Sequence, residues 1–474
     1  MNIFRRKPLR LLKTTFSMLV SIAILSACGG GGGGSSDTTA GIGGTGISYG
    51  TVTGFGSILV NGRHLDDSGA SVTLDDNPGA GLHGGIKQGM VVKASGTFSG
   101  NTGTATSVVY RDNLEGEVCA QTSVGGITTL RVLGQTVIQD ATTIVENGPI
   151  NVGDIVEVSG LPDELEQIQA SFIEVKDPID AVIEVKGRVG FVDDIAKTLK
   201  INALDVNYNL ALIDNNIPGG VPAVGQFVEV KADENIPVFA CGGTIDTLTA
   251  SKVELETEGA GTIAAGAHAE VEGFITELTV GGFKIGEQEV VTTGSTSFLP
   301  DDFTVIDLVV GAKVEAEGTS TNGVLTATKI SFRRNVKLES NVDNIIGNTF
   351  TLVGLPGIVI STNSETTGDP VPAIGHIRVR GIEGPGNTVL ATDIDVKSGM
   401  DAFLQGPVDT KVGATITILG IPVDTNGIPE FEDINENMIS RQQFLDLVQP
   451  GTLVKVDGVL QGSTIMYEEA ELED

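Results

Sequence analysis

Along most of the chain, β-branched and other apolar residues alternate with polar ones at a period of two. That is the spacing of a strand with one face packed and one face outward. One version of the pattern, Gly-x-x-Val-x-Val-x-Gly or a close variant, recurs. It reads GMVVKASG at 89–96, GDIVEVSG at 153–160, GQFVEVKA at 225–232, GAKVEAEG at 311–318, the shorter GHIRVRG at 375–381, and GTLVKVDG at 451–458. Each copy is followed by a second alternating run, such as TATSVVYRD at 104–112 or LTATKISFRR at 325–334. Upstream of each lies an apolar hairpin, such as GFGSILVNGRHL or KTLKINALDVNY. Internal glycines (Gly62, Gly134, Gly286, Gly354, Gly420) permit tight turns or bends there. In Val60-Asn61-Gly62-Arg63 both central residues tolerate positive φ, a strong signal for a two-residue hairpin.

This self-similarity divides the chain into six units of about 65–80 residues: 47–113, 114–180, 181–260, 261–335, 336–400 and 401–474. Each is large enough for a marginal core of its own. A helix-like stretch precedes some of the Gly-x-x-Val strands, clearest at 437–448, with Pro450 and Gly451 as its stop. Five strands with a short helix between the third and fourth is the layout of a partly open OB-like barrel. The predicted fold is therefore all-β, a tandem of small OB-like β-barrels with a short helix in some units. A set of β-sandwich modules satisfies the same strand spacing and stands as the alternative.

The stretch GTVTGFGSILVNG at 50–62, followed by GMVVKASG and TATSVVY, is similar to a family of bacterial lipoproteins with a repeated β-domain of unknown function. The similarity is closest over 48–112 and loosens in the later units, which lose the Gly-Phe-Gly-Ser. Members commonly combine an acylated cysteine and a Gly-rich tether with several such units. The resemblance implies architecture and location, and brings no activity with it.

The N-terminus agrees with that expectation. Arg5, Arg6, Lys7, Arg10 and Lys13 precede an apolar stretch from Thr14 to Leu25, and Leu25-Ser26-Ala27-Cys28 follows. A basic start, a short apolar region and small residues before the cut define a secretory signal over 1–27. About a dozen apolar residues are too few to span a bilayer core, which needs roughly 20. The ending resembles a bacterial lipobox, so Cys28 is the expected lipidation site and the membrane the expected N-terminal partner. Residues 28–46, rich in Gly and Ser, read as a flexible tether. By resemblance to sorted lipoproteins, Gly29 after the cysteine implies the outer membrane, on its periplasmic or cell-surface face.

Charge narrows the partners. The chain holds 61 Asp+Glu against 29 Lys+Arg, a net charge of −32, and removal of the basic signal makes the remainder more negative still. Such a surface discourages phosphate backbones and anionic headgroups. With no Trp and with Tyr49, Tyr110, Tyr208 and Tyr467 scattered, a basic groove with stacking aromatics is not in view, and no nucleic-acid partner is expected. The acids are interleaved with Val, Ile and Leu, the look of an outward strand face. Once Cys28 is assigned to lipid, Cys119 and Cys241 remain as a pair for a disulfide in an oxidising compartment. Two free buried thiols are the alternative.

Catalytic chemistry is not legible, and neither a catalytic residue nor a cofactor is assigned. His64, His83, His268 and His376 stand in separate contexts without metal-ligand spacing and read as surface or loop residues. Gly54-Phe55-Gly56-Ser57 reads as a glycine-rich bend rather than a nucleophile elbow. Two stretches are oxygen-rich enough for calcium: Asp66-Asp67 with Asp75-Asp76, and Asp424, Asn426 and Glu430 with Glu432 and Asp433. Gly427 falls at the fourth position of that loop rather than the sixth, so acidic turns facing water are the plainer reading, and no metal is assigned. Repetition without a unique polar constellation suggests a non-enzymatic envelope lipoprotein, a tandem β-barrel arm whose partner is an envelope protein or the matrix. The alternatives are a carrier or assembly module that binds a peptide or small ligand, and a hydrolase.

Overall fold

The computed structural model describes residues 44–473, apart from short gaps at 125–126, 141, 233–238, 300–302, 334, 364–365, 385 and 435–436. Cys28, the signal 1–27 and most of the tether lie outside the described residues. The strands of the first barrel are Gly44–Gly54, Ile58–Val60, Arg63–Asp66, Val91–Ser99 and Thr102–Tyr110. The first pairs with the second, the second with the third, the third with the fifth, the fifth with the fourth, and the fourth with the first. All these ladders are antiparallel except third with fifth, where His64–Asp66 runs parallel to Thr102–Thr104. That closes a five-stranded, OB-like barrel whose apolar positions point inward.

The same circuit closes in the second barrel, from Leu114–Val124 to Ile168–Lys176, in the fourth, from His268–Thr279 to Val324–Arg333, and in the fifth, from Asn335–Ile346 to Thr388–Lys397. In the sixth, Ile421–Asp424 pairs with Thr415–Ile418, and Glu430–Glu432 supplies the parallel neighbour of the fifth strand, Thr464–Leu472. An α-helix, Arg441–Leu447, occurs in this barrel, where Ser440 and Gln443 form a capping box. In the first, third and fourth barrels the helix expected before the fourth strand is a single 3-10 turn.

The recurring motif has a structural reason at both glycines. The first takes a left-handed φ of 90, 96, 88, 88 and 87° at Gly89, Gly153, Gly225, Gly311 and Gly451, a region costly for a residue with a Cβ. From there its N–H donates to the carbonyl at the bend of the first strand: Val52, Val118, Val189, Ile275 and Val408. The second glycine sits at a register shift in the hairpin of fourth and fifth strands. A Cβ at Gly96, Gly160, Gly318, Gly381 or Gly458 would lie 2.0–2.5 Å from a carbonyl oxygen of the fifth strand. In the third barrel Ala232 takes this place. There the fourth strand stops at Lys231, and the fifth is split into Asp246–Thr249 and Lys252–Leu255.

The barrels are joined strand to strand, but not in simple chain order. First strands pair antiparallel between the second and third barrels and between the fifth and sixth. The first barrel instead pairs in parallel with the fourth, Gly46–Tyr49 against His268–Val271. Gly44–Gly46, expected as tether, belongs to this strand, and a Cβ at Gly46 would lie 2.4 Å from the His268 carbonyl oxygen. Cores also cross barrel boundaries, one apolar cluster running through the second and third barrels and another through the fifth and sixth.

Candidate functional site: the charged junctions between barrels

The outward positions of the first and fourth strands carry charge, as the alternation predicts, but they do not all face water. Among the described residues thirteen carboxylates are buried, including Glu115, Glu157, Glu184, Glu229, Glu270 and Glu315. The expected solvated face is, at these positions, a contact with the next barrel. Burying an ionised carboxylate is unfavourable unless a cation and hydrogen bonds meet it, and here a neighbouring barrel often supplies them.

Where the first three barrels meet, Lys186 holds four carboxylates. Its Nζ lies 2.5 Å from Asp112, 2.9 Å from Glu229, 3.4 Å from Glu184 and 3.5 Å from Asp75. Burial alone would lower the Lys186 ammonium, but the carboxylates, Asp112 foremost, hold it well above the ordinary range. Lys231 pairs with Glu184 and Glu229 from the other side. Lys176 lies 2.7 Å from Glu157, which also accepts the Tyr110 hydroxyl at 2.6 Å. A cavity of about 350 Å³ opens among Asp75, Tyr110, Glu115, Glu157, Lys176 and Lys231. Burial pushes Asp75 up to about 6 and Glu115 up to about 7.

A second cleft, about 430 Å³, lies between the fifth and sixth barrels and is lined by Glu339, Arg378, Phe403, Lys455 and Asp457 among others. Arg378 and Lys455 sit over the Phe403 ring, 5.1 and 6.0 Å from its centroid. Glu339 receives Arg378 at 2.7 Å and His376 at 3.2 Å. Between the first and fourth barrels, Arg63 spans Glu270 and Glu317 at 2.9 and 3.1 Å. Among the described residues four carboxylate trios are close enough to share a cation: Asp75/Asp112/Glu184, Glu270/Glu315/Glu317, Glu432/Glu469/Glu471 and Asp76/Glu229/Glu254. Lys186 and Arg63 sit among the first two, and Lys455 pairs with Glu471 of the third. These junctions join barrels by charge-assisted hydrogen bonds.

Cys119 and Cys241 form a disulfide with a Cα–Cα distance of 5.4 Å, tying the second barrel to the third. Asp424 caps a 3-10 turn through Asn426, whose side-chain oxygen receives Arg441, while Glu430 lies exposed on a strand. The other acidic stretch divides: Asp67 binds His83 at 2.8 Å, Asp66 caps Ser68, Asp75 turns to Lys186 and Asp76 to Arg111. Neither stretch gathers its oxygens on one point. His64 faces Ser57 at 3.5 Å, and Gly54-Phe55-Gly56-Ser57 is the bend between two strands. His83 stacks on Phe55 and His268 meets Thr319. His376, expected at the surface, is instead buried, its ring held by Asn341 and Glu339 on the paired first strand of its own barrel. Sequence reasoning missed Lys186 and Arg63. The available signal was a basic residue at an outward strand position amid so many acids.

Three segments, 115–174, 272–331 and 405–466, match the family model described as a domain of unknown function (DUF5666). The matched segments fall in the second, fourth and sixth barrels, whereas residues 50–62, which bear the resemblance noted in the sequence, lie outside them. No curated protein matches the chain.

Proposed function

We propose that this protein is a non-enzymatic envelope lipoprotein. Acylated Cys28 and a Gly/Ser tether hold six OB-like barrels at the outer membrane, where they bind an envelope protein or matrix component. The supporting observation is that the charged groups with the chemistry to act on a ligand are engaged across barrel boundaries, as Lys186 is by four carboxylates. Pairing of all six first strands with one another also favours a body that binds through its outer surface over a carrier that adds a strand at those edges.

The test is metabolic labelling of the full chain with a radiolabelled fatty acid, followed by membrane fractionation and cross-linking. Label and membrane association are expected in the wild type and lost in Cys28→Ala, with a protein or matrix cross-link that needs the barrels. An unlabelled, freely released wild-type chain would overturn the anchor. Turnover of a substrate by the purified chain would overturn the non-enzymatic reading.

A further inference from the structure

The apolar contacts divide the six barrels into two sets of three. Phe172 of the second barrel is buried in the core of the first, and the second and third share one cluster. Ile382 of the fifth barrel is buried in the core of the fourth, and the fifth and sixth share another. Between the sets, the first and fourth barrels meet along four rungs, Gly46–Tyr49 with His268–Val271. The apolar part of this joint is small: Ile47 and Tyr49 at the edge of the fourth core, and the cluster Val91, Leu161 and Phe274.

The rest of the joint is charge. Glu270, Glu272, Glu315 and Glu317 line the fourth barrel's side, with that barrel's own Lys313, Lys329 and Arg333 behind them. The first barrel contributes Arg63, whose side chain is 3% exposed. Its Nε donates to Glu270, its Nη2 lies 3.1 Å from Glu317, and its Nη1 donates to the Gly100 carbonyl of its own barrel. Ser48 Oγ donates to Glu270 at 2.9 Å, and the Thr51 N–H to Glu272 at 2.8 Å. Arg188 of the third barrel makes a further charged contact with the fourth, at Glu287. In a buried ion pair desolvation offsets much of the attraction, so such a joint depends on complete pairing in a way that a shared apolar core does not.

We propose that the joint between the first and fourth barrels is a latch with Arg63 as its bolt. The two three-barrel halves separate about residues 257–259, ahead of Ala260 and Ile263, which are buried in the core of the fourth barrel, and each half stays folded. Opening exposes the backbone N–H and C=O groups of Gly46–Tyr49 and His268–Val271 to solvent.

Hydrogen exchange read by mass spectrometry, with small-angle scattering, tests this on the full chain. In Arg63→Met, peptides covering 46–49 and 268–271 are expected to exchange about tenfold faster or more, and the radius of gyration to rise. The cores of the second–third and fifth–sixth pairs keep their protection, and Arg63→Lys recovers part of the loss. Unchanged exchange and dimensions in Arg63→Met would overturn the latch. The wild type under rising guanidinium gives a reading that does not depend on the variant folding. There the joint amides should open before the barrel cores, and opening together with the cores would show one cooperative body without a latch.

Discussion

Lys186→Met removes one charge from the junction of the first three barrels and keeps most of the side chain's bulk. The ammonium is the closest cation to Asp112, at 2.5 Å, and Asp112 is buried with a side chain 1% exposed. Glu184 and Glu229 retain Lys231 at 3.0 and 3.2 Å, so the loss falls mainly on Asp112 and Asp75. Breaking a buried pair by removing one partner typically costs about 3–5 kcal/mol, because a desolvated charge is left behind. We expect a loss in that range at pH 8, confined to the barrels that meet there.

Native-state hydrogen exchange at Glu184–Arg188 and Phe227–Lys231 measures this, because those strands carry Glu184, Lys186 and Glu229. The sixth barrel, distant in sequence and built on a separate core, serves as the internal reference. At pH 5 the loss should shrink, since orphaned carboxyls can take up protons and shed their charge. Asp112→Asn added to Lys186→Met should recover part of it, a coupling seen as non-additivity. A loss below about 1 kcal/mol at pH 8 would refute the reasoning, because it would place these carboxylates in water. An equal loss at both pH values would refute it differently, by assigning the effect to packing of the lysine stem.

Three further outcomes follow from the same geometry. Gly458→Ala sets a Cβ 2.0 Å from the Met466 carbonyl oxygen and should destabilise the sixth barrel by about 1–3 kcal/mol, read as faster exchange there; an unchanged rate would mean that the register shift relaxes freely. Reducing Cys119–Cys241 should lower the urea midpoint of the second and third barrels by the equivalent of about 2–4 kcal/mol, with free thiols at those positions appearing only after reductant. Burial raises Glu115 and Glu469 to about 7 from 4.5, so the folded state holds their protons longer than the unfolded chain. Their stabilising contribution is complete below about pH 4.5 and is lost as pH rises to about 7; the urea midpoint should fall between pH 5 and pH 8, less so in Glu115→Gln, and a flat profile would contradict the assignment.

The barrels were legible in the sequence because their rules are local. Alternation placed the strands, Asn61-Gly62 marked a hairpin, and the motif glycines are demanded by a left-handed φ and a close carbonyl within each unit. Even so, Leu133 and Leu419 hold the corresponding turns of the second and sixth barrels at φ of 47 and 49°. Both are fully buried, so packing outweighs the local preference against a left-handed leucine. The junctions were not legible because their partners are far apart in the chain. Arg63 and Glu270 are separated by 207 residues, and an outward glutamate on an alternating strand reads the same whether water or an arginine meets it.

The outward residues of one seam show what distinguishes the two cases. In the second barrel the parallel rungs are Ile144 with Phe172, Val145 with Ile173 and Glu146 with Glu174. The first barrel covers this seam: Phe172 is buried in its core, and Lys87 bridges Glu146 and Glu174 at 2.7 and 2.9 Å. In the sixth barrel the same rungs are Glu430 with Glu469, Phe431 with Ala470 and Glu432 with Glu471. The inward pair stays apolar, while the outward Ile–Phe rung has become Glu–Glu, with Glu430 exposed. In stacked repeats a unit with an uncovered face needs that face polar, and the exchange of Ile144 and Phe172 for Glu430 and Glu469 follows that requirement. The identity of the outward rung, rather than the alternation itself, therefore carries the information about which barrel faces are covered. An apolar outward rung beside a lysine-bridged glutamate rung marks a joint, and a seam whose outward rungs are both carboxylate marks a face left to water or to a partner outside the chain.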